Sequence, residues 1–142
     1  MKTTVIEERA VLTVENSIPA DSPFTMLNLL RFREMADYSD RRDIKPCSGQ
    51  EAYLQNYIPA FNKAAQSEGV TDIQITYIGQ VAGALAAPAD EKWDVIALVR
   101  YPSFAVFKKV SESPVYIEEA EVHRLAALDD LRLIATTTFP AP

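Results

Sequence analysis

Residues 24–33 read Phe24-Thr25-Met26-Leu27-Asn28-Leu29-Leu30-Arg31-Phe32-Arg33, and residues 93–101 read Trp93-Asp94-Val95-Ile96-Ala97-Leu98-Val99-Arg100-Tyr101. The first run is apolar almost throughout and follows the breaker-rich Ile18-Pro19-Ala20-Asp21-Ser22-Pro23, which suits a buried central strand. Leu29-Leu30-Arg31-Phe32 is echoed by Leu98-Val99-Arg100-Tyr101. A split βαβ fold has a pseudo-two-fold axis that equates its first and third strands, here read as both central and parallel.

The segments between fit that plan. After a polar loop, 34–47, Ser48-Gly49-Gln50-Glu51 matches a capping box, in which serine and glutamate satisfy free amides at a helix start. The helix runs to about Glu68 with Tyr53, Leu54, Tyr57, Ile58, Phe61, Ala64 and Ala65 on one face, bent at Pro59 and stopped by Gly69. Strands follow at Asp72–Val81 and Trp93–Tyr101, and the connection between them is too short for a crossover helix, so they are antiparallel neighbours. Ser103–Ser111 reads as a short helix, Ser113-Pro114 opens another, and Leu131–Phe139 is the last strand. The expected class is α+β, a ferredoxin-like split βαββαβ with an antiparallel sheet and helices on one face. Residues 1–23 are expected to be an N-terminal extension, with a short extra strand at Val11–Glu15, and 24–142 a single domain.

Composition sets limits. The chain has 142 residues, 48% hydrophobic and 24% charged, with a net charge of -6, enough for one ordinary core. One cysteine and one histidine leave neither a disulfide framework nor a usual zinc ligand set. No metal and no cofactor are expected. No apolar run reaches the ~18 residues of a membrane span and no signal peptide is visible, so no membrane partner and a cytoplasmic location are expected. Glu112–Asp130 holds six acids against Arg124, whereas Arg31–Lys45 interleaves five bases with Glu34, Asp37, Asp40 and Asp43. No basic surplus of the kind a nucleic acid needs is present. Cys47, in a polar loop without a nearby histidine, reads as incidental.

Period-two alternation sorts the strand side chains. Trp93, Val95, Ala97, Val99 and Tyr101 share a face with Ile73, Ile75 and Tyr77, with Leu131, Leu133 and Ala135, and with Met26, Asn28, Leu30 and Phe32. That face should meet the helices. The opposite face carries Leu27, Leu29, Ile78, Ile96, Leu98 and Ile134, a patch that a monomer rarely leaves wet, so a homodimer through the sheet face is expected. Asn28 is then a buried amide that needs either a structural partner or a ligand. On the last helix, Tyr116, Ile117, Ala120, Ala127 and Leu128 form a stripe with Arg124 in its middle and His123 at its edge. Buried arginine calls for a salt bridge, a snorkelling head or a bound anion. A pocket between sheet and helices, lined by Asn28, Tyr53, Tyr57, Tyr77, Trp93, Tyr101, Tyr116 and Arg124, is the candidate site, with Arg100 of the Arg100-Tyr101 pair as a further ligand contact.

Asn28-Leu29-Leu30-Arg31-Phe32, Ser48-Gly49-Gln50-Glu51-Ala52-Tyr53, Trp93-Asp94, Arg100-Tyr101-Pro102-Ser103 and Ser113-Pro114-Val115-Tyr116 with Arg124 resemble the family called domain of unknown function 1330 (DUF1330), over residues 24–138. The resemblance implies a dimeric α+β barrel. The wider superfamily includes cofactor-independent monooxygenases, muconolactone-type isomerases, haem-degrading enzymes and stress-response domains. The N-terminal extension and the 34–47 loop depart from its short members. In an enzyme of this kind Arg124 would hold a carboxylate or enolate, Asn28 would orient a carbonyl, and Tyr116 or His123 would move a proton, in oxygenation or isomerisation of a phenolic or polyketide-like acid. Haem chemistry is disfavoured by the single histidine at the stripe's edge. The competing readings are a non-catalytic domain that senses an aromatic or keto acid and a purely structural homodimer.

Overall fold

In the computed structural model, residues 1–39 and 41–140 are described; Asp40 of the mixed-charge loop, and Ala141 and Pro142 at the end of the expected domain, lie outside them. The element order is α1 (Glu8–Ser17), β1 (Phe24–Phe32), the composite helix α2, β2 (Gln74–Gln80), β3 (Val95–Tyr101), α3 (Phe104–Ser111), the composite helix α4, and β4 (Leu128–Thr136). Helix α2 opens as an α-turn at Gly49–Glu51, passes through a π-helical segment at Ala52–Tyr57, and closes as an α-helix at Ile58–Ser67. Helix α4 is π-helical over Tyr116–Ala120 and α-helical over Glu121–Ala127. No helix among the described residues is long and apolar enough to cross a membrane.

The sheet is antiparallel in the order β2-β3-β1-β4, with the helices on one face, as the βαββαβ reading requires. The repeat therefore joins the two central strands, but they are antiparallel rather than parallel. The crossover through α2 sets β2 parallel to β1, and the reversal at 81–94 then turns β3 against both.

The capping box forms as read: Ser48 Oγ accepts from the Glu51 amide and Glu51 accepts from the Ser48 amide. Gly49 is required beside it, because a Cβ there would fall onto the carbonyl oxygens of Arg33 and Ala127. Ser103 caps α3, accepting from the Val106 amide at 3.2 Å. Phe24, Met26 and Leu30 of β1 are buried beneath the helices together with Ala97, Tyr101 and Leu131.

Four local expectations change. Val11–Glu15 is helical, not a strand; Val11 and Val14 pack one turn apart, and Thr13 and Ser17 each donate back to the carbonyl four residues earlier. The last strand is Leu128–Thr136 rather than Leu131–Phe139. The β1–α2 loop ends α4 early, since the Asp37 and Arg33 amides take the carbonyls of Ala126 and Ala127. Pro59 sits in the first turn of the closing α segment, and the irregularity lies in the π turn just before it. Finally, a bulge between Ile75 and Tyr77 shifts the register of β2, so that Tyr77 pairs with Leu98 and Ile78 with Ala97. Beyond the bulge every β2 side chain changes face. Tyr77 joins the open face and Ile78 leaves it.

Candidate functional site

Between sheet and helices lies a small inner cavity of about 40 Å³, walled by Asn28, Tyr53, Tyr57, Tyr101, Tyr116 and Arg124 among others. An outer groove of about 360 Å³ shares Asn28, Tyr53, Tyr57, Phe61 and Tyr101 with it and opens between α2 and β2, past Ile75, Ile78 and Gln66. The groove stays open because β2 extends beyond the helical cover: Ile75 and Ile78 point to the helix side yet remain exposed.

Two π-helical segments deliver the tyrosines, Tyr53 and Tyr57 from α2 and Tyr116 from α4. Such segments recur at functional positions because they offset side chains from the regular helical ladder. The Tyr53 and Tyr57 rings lie 4.9 Å apart, and the Tyr57 and Tyr116 hydroxyls are 3.0 Å apart. Ser113 fixes the start of α4 by accepting from the Tyr116 amide at 3.2 Å.

Arg124 is only 7% exposed, and no carboxylate pairs with it among the described residues. Its Nε donates to Tyr116 Oη at 3.2 Å and one terminal nitrogen donates to the Thr4 carbonyl at 2.9 Å. Burial works against its charge, but the facing Tyr116 and Tyr57 oxygens outweigh this and hold it firmly protonated. Burial, reinforced by neighbouring phenols, pushes Tyr53, Tyr57 and Tyr101 above the ordinary tyrosine value. These phenols are therefore neutral donors at physiological pH.

Asn28 is 9% exposed, and its amide nitrogen donates to the Met26 carbonyl at 3.1 Å and the Ala97 carbonyl at 3.3 Å. Two carbonyl acceptors identify that end as nitrogen and use both its hydrogens. Its Oδ1 has no partner among the described residues. Asn28 can thus accept from a ligand hydroxyl, enol or amine, rather than orient a carbonyl as the sequence suggested.

The structure brings together Asn28, Tyr53, Tyr57, Tyr101, Tyr116 and Arg124. It places the other four candidates elsewhere. Tyr77, shifted by the bulge, is 56% exposed on the open sheet face. Trp93 precedes β3 and stacks under the Arg132 guanidinium, 5.0 Å from the ring centre. The alternation stops at Asp94, whose amide donates to the Leu30 carbonyl and whose carboxylate accepts from Phe32. Arg100 is exposed on the open face opposite Thr25. His123 turns to the 34–47 loop, where Nδ1 lies 2.7 Å from the Tyr38 hydroxyl, itself bonded to Asn56 Nδ2. Burial, then Arg41, hold its pKa below the ordinary histidine value. The Thr4 carbonyl is the participant that the sequence could not reveal, because a main-chain oxygen carries no side-chain signal.

No protein-family model and no curated protein matches the chain. Two solved structures are similar over its whole length. The crystal structure of the methylated RPA0582 protein is 31% identical, with all of both chains covered and a TM-score of 0.79. The crystal structure of RPA0582, a protein of unknown function from Rhodopseudomonas palustris, is 31% identical over 96% of this chain and 98% of its own, with a TM-score of 0.78. Identity at this level over the full length shows that the chain belongs to the same family as RPA0582.

Proposed function

We propose that the protein binds a small aromatic or keto acid in the groove between sheet and helices, its flat apolar body beside Tyr53, Tyr57 and Phe61 and its carboxylate directed to Arg124. The observation that carries this reading is Arg124 itself, a buried guanidinium with no carboxylate partner among the described residues, at the inner end of a cavity. A buried charge is retained where something compensates it, and a ligand carboxylate does so with paired N–H donors. Asn28 Oδ1 would add affinity for an acid that also carries a hydroxyl or enol proton, as phenylpyruvate does in its enol form, without being needed for a simple aromatic carboxylate.

The DUF1330-like motifs lie along these same elements, and we extend the reading to the dimer that they imply. Leu27, Leu29, Tyr77, Ile96, Leu98 and Ile134 make the open sheet face apolar, which supports its closure on a second copy.

A second reading, cofactor-independent oxygenation or isomerisation, is favoured by one feature: Arg124 and Tyr116 together can stabilise a developing enolate oxygen. Binding without turnover is preferred, because the walls of the groove and of the inner cavity hold neither carboxylate nor imidazole to take a proton, Glu8, Glu112 and Glu121 lining instead the separate cavity that Tyr116 and Arg124 also border. Thermal-shift and calorimetric titration with 2-naphthoate and phenylpyruvate test the reading. Both acids should stabilise the protein, and Arg124→Leu, with its circular dichroism unchanged, should abolish that stabilisation. Equal binding by Arg124→Leu would refute the assignment. Product formation under air, followed by mass spectrometry, would favour the catalytic reading.

A further inference from the structure

The groove of the candidate site has an exposed apolar lip, and the chain runs out in an exposed apolar tail. Ile75 and Ile78 at the lip are 53% and 48% exposed, beside Val70, Thr71 and Ile73. Beyond Thr136 the chain continues through Thr137, Thr138, Phe139 and Pro140, and Phe139 is 87% exposed. Pro140 favours an extended Phe139, so the tail prolongs β4. Within one chain, lip and tail stay apart. The order β2-β3-β1-β4 sets β2 and β4 at opposite edges, three strand spacings or about 14 Å apart, whereas the three residues from Thr136 to Phe139 reach about 10 Å.

A second copy closes that distance. Where two open sheet faces stack about a two-fold axis running along the strands, the strand order reverses across the interface and β4 of the partner subunit lies against β2. The axis preserves strand direction, and β2 and β4 run oppositely within the sheet, so these edges meet antiparallel. The N-terminal segment occupies the edge of β4 at Leu131, whose amide donates to the Thr3 carbonyl. By the two-residue period the Leu133 and Ala135 amides point off the same edge, free of partners among the described residues. That free half falls against the start of β2. An axis across the strands would instead set β4 on β4, the free half of each against the occupied half of the other.

The register carries the argument to the site. Thr136 is level with Thr25, Arg100 and Gln74, and the axis keeps that level. Counting on antiparallel sets Phe139 of the partner subunit opposite Thr71. Leu131, Leu133 and Ala135 of β4 pack on the helix side, as Ile73 does, so Phe139 at the next odd positions points to that side too. Resting on the acid and dimer readings above, we propose that the site is composite: Phe139 of the partner subunit closes the outer groove over the bound acid.

Phe139→Ala leaves the open sheet face intact, so it should sediment with the parent yet bind 2-naphthoate about tenfold more weakly. Arg124→Leu and Phe139→Ala chains, co-expressed and purified as mixed dimers through two tags, then separate the arrangements. The chain that keeps Arg124 receives Phe139 from its partner, and one site per dimer should bind with the parent's affinity. Binding weakened as in Phe139→Ala would put Phe139 at its own chain's groove and overturn the proposal, as would Phe139→Ala binding like the parent. A second arm needs no acid. With Cys47→Ser throughout, co-expressed Thr71→Cys and Phe139→Cys chains should form disulfide-linked dimers on oxidation, and neither chain should do so alone. Absence of the link, or a parent that sediments as a monomer, would overturn the placement of the tail. The link in a protein that does not bind 2-naphthoate would support that placement and refute the acid reading instead.

Discussion

The Tyr57–Tyr116–Arg124 chain can be tested without a ligand, by a double-mutant cycle. Tyr116 Oη accepts from Arg124 Nε at 3.2 Å and shares a hydrogen bond with Tyr57 Oη at 3.0 Å, and all three residues are buried. Tyr57→Phe removes one neutral bond and leaves Tyr116 on the guanidinium, a loss of about 1 kcal/mol. Tyr116→Phe removes the bond to a charged group and also strands the Tyr57 hydroxyl. Each effect is worth about 1–3 kcal/mol, and the inner cavity has room for a water that softens both, so about 3 kcal/mol is expected. In the double variant no hydroxyl is stranded. Adding Tyr57→Phe to Tyr116→Phe should therefore restore about 1 kcal/mol, a coupling of about 2 kcal/mol. Urea unfolding followed by circular dichroism, with a constant m value, measures this. If Tyr57→Phe destabilises both backgrounds alike, within about 0.5 kcal/mol, the chain is not a coupled unit and the reasoning fails.

Further outcomes follow from other parts of the molecule. Gly49→Ala should destabilise by about 1–3 kcal/mol in the same urea assay, because its Cβ meets main-chain oxygens that cannot move aside as side chains do. His123 is held below its ordinary pKa of about 6.5, so the stability contributed by its neutral form is complete above that pH and is lost as pH falls through the folded-state value. Melting temperature between pH 7 and 5 should thus fall more steeply in the parent protein than in His123→Gln; equal slopes would contradict this. Leu98→Glu, on the open sheet face beside Tyr77, should yield monomers by sedimentation velocity, and the parent should sediment as the proposed dimer.

The fold was legible because its decisive signals are local and redundant. β1 alternates cleanly against the helices, the capping box needs only Ser48 and Glu51, and Ser103 and Ser113 mark the helix starts. Six of the ten candidate residues lie together in the structure, since a buried amide and a buried guanidinium are conspicuous among apolar neighbours. Errors arose where alternation was extended past an unseen irregularity. The bulge after Ile75 reversed Tyr77 and Ile78, and Asp94 ended the β3 pattern before Trp93. His123 was correctly placed at the edge of the stripe, but its partner, Tyr38, comes from a loop 85 residues away in sequence, a contact no local period encodes. The Thr4 contact was hidden for a similar reason, being made through the main chain.

The π turn at Tyr116–Ala120 has a consequence for how this site can change. In a regular α-helix, residues eight apart differ in direction by about 80°, whereas those seven apart differ by only about 20°. A π turn absorbs one extra residue, so Tyr116 and Arg124, eight apart in sequence, behave as a pair spaced by seven and meet on one side of the helix. Angular phase, set by a single inserted residue, aims the guanidinium at the phenol. Deleting one residue within that turn would close it into a regular α-helix with the pair seven apart, keeping Arg124 within about 20° of Tyr116, whereas winding the present eight-residue spacing as a regular α-helix would swing Arg124 about 80° away from the tyrosines.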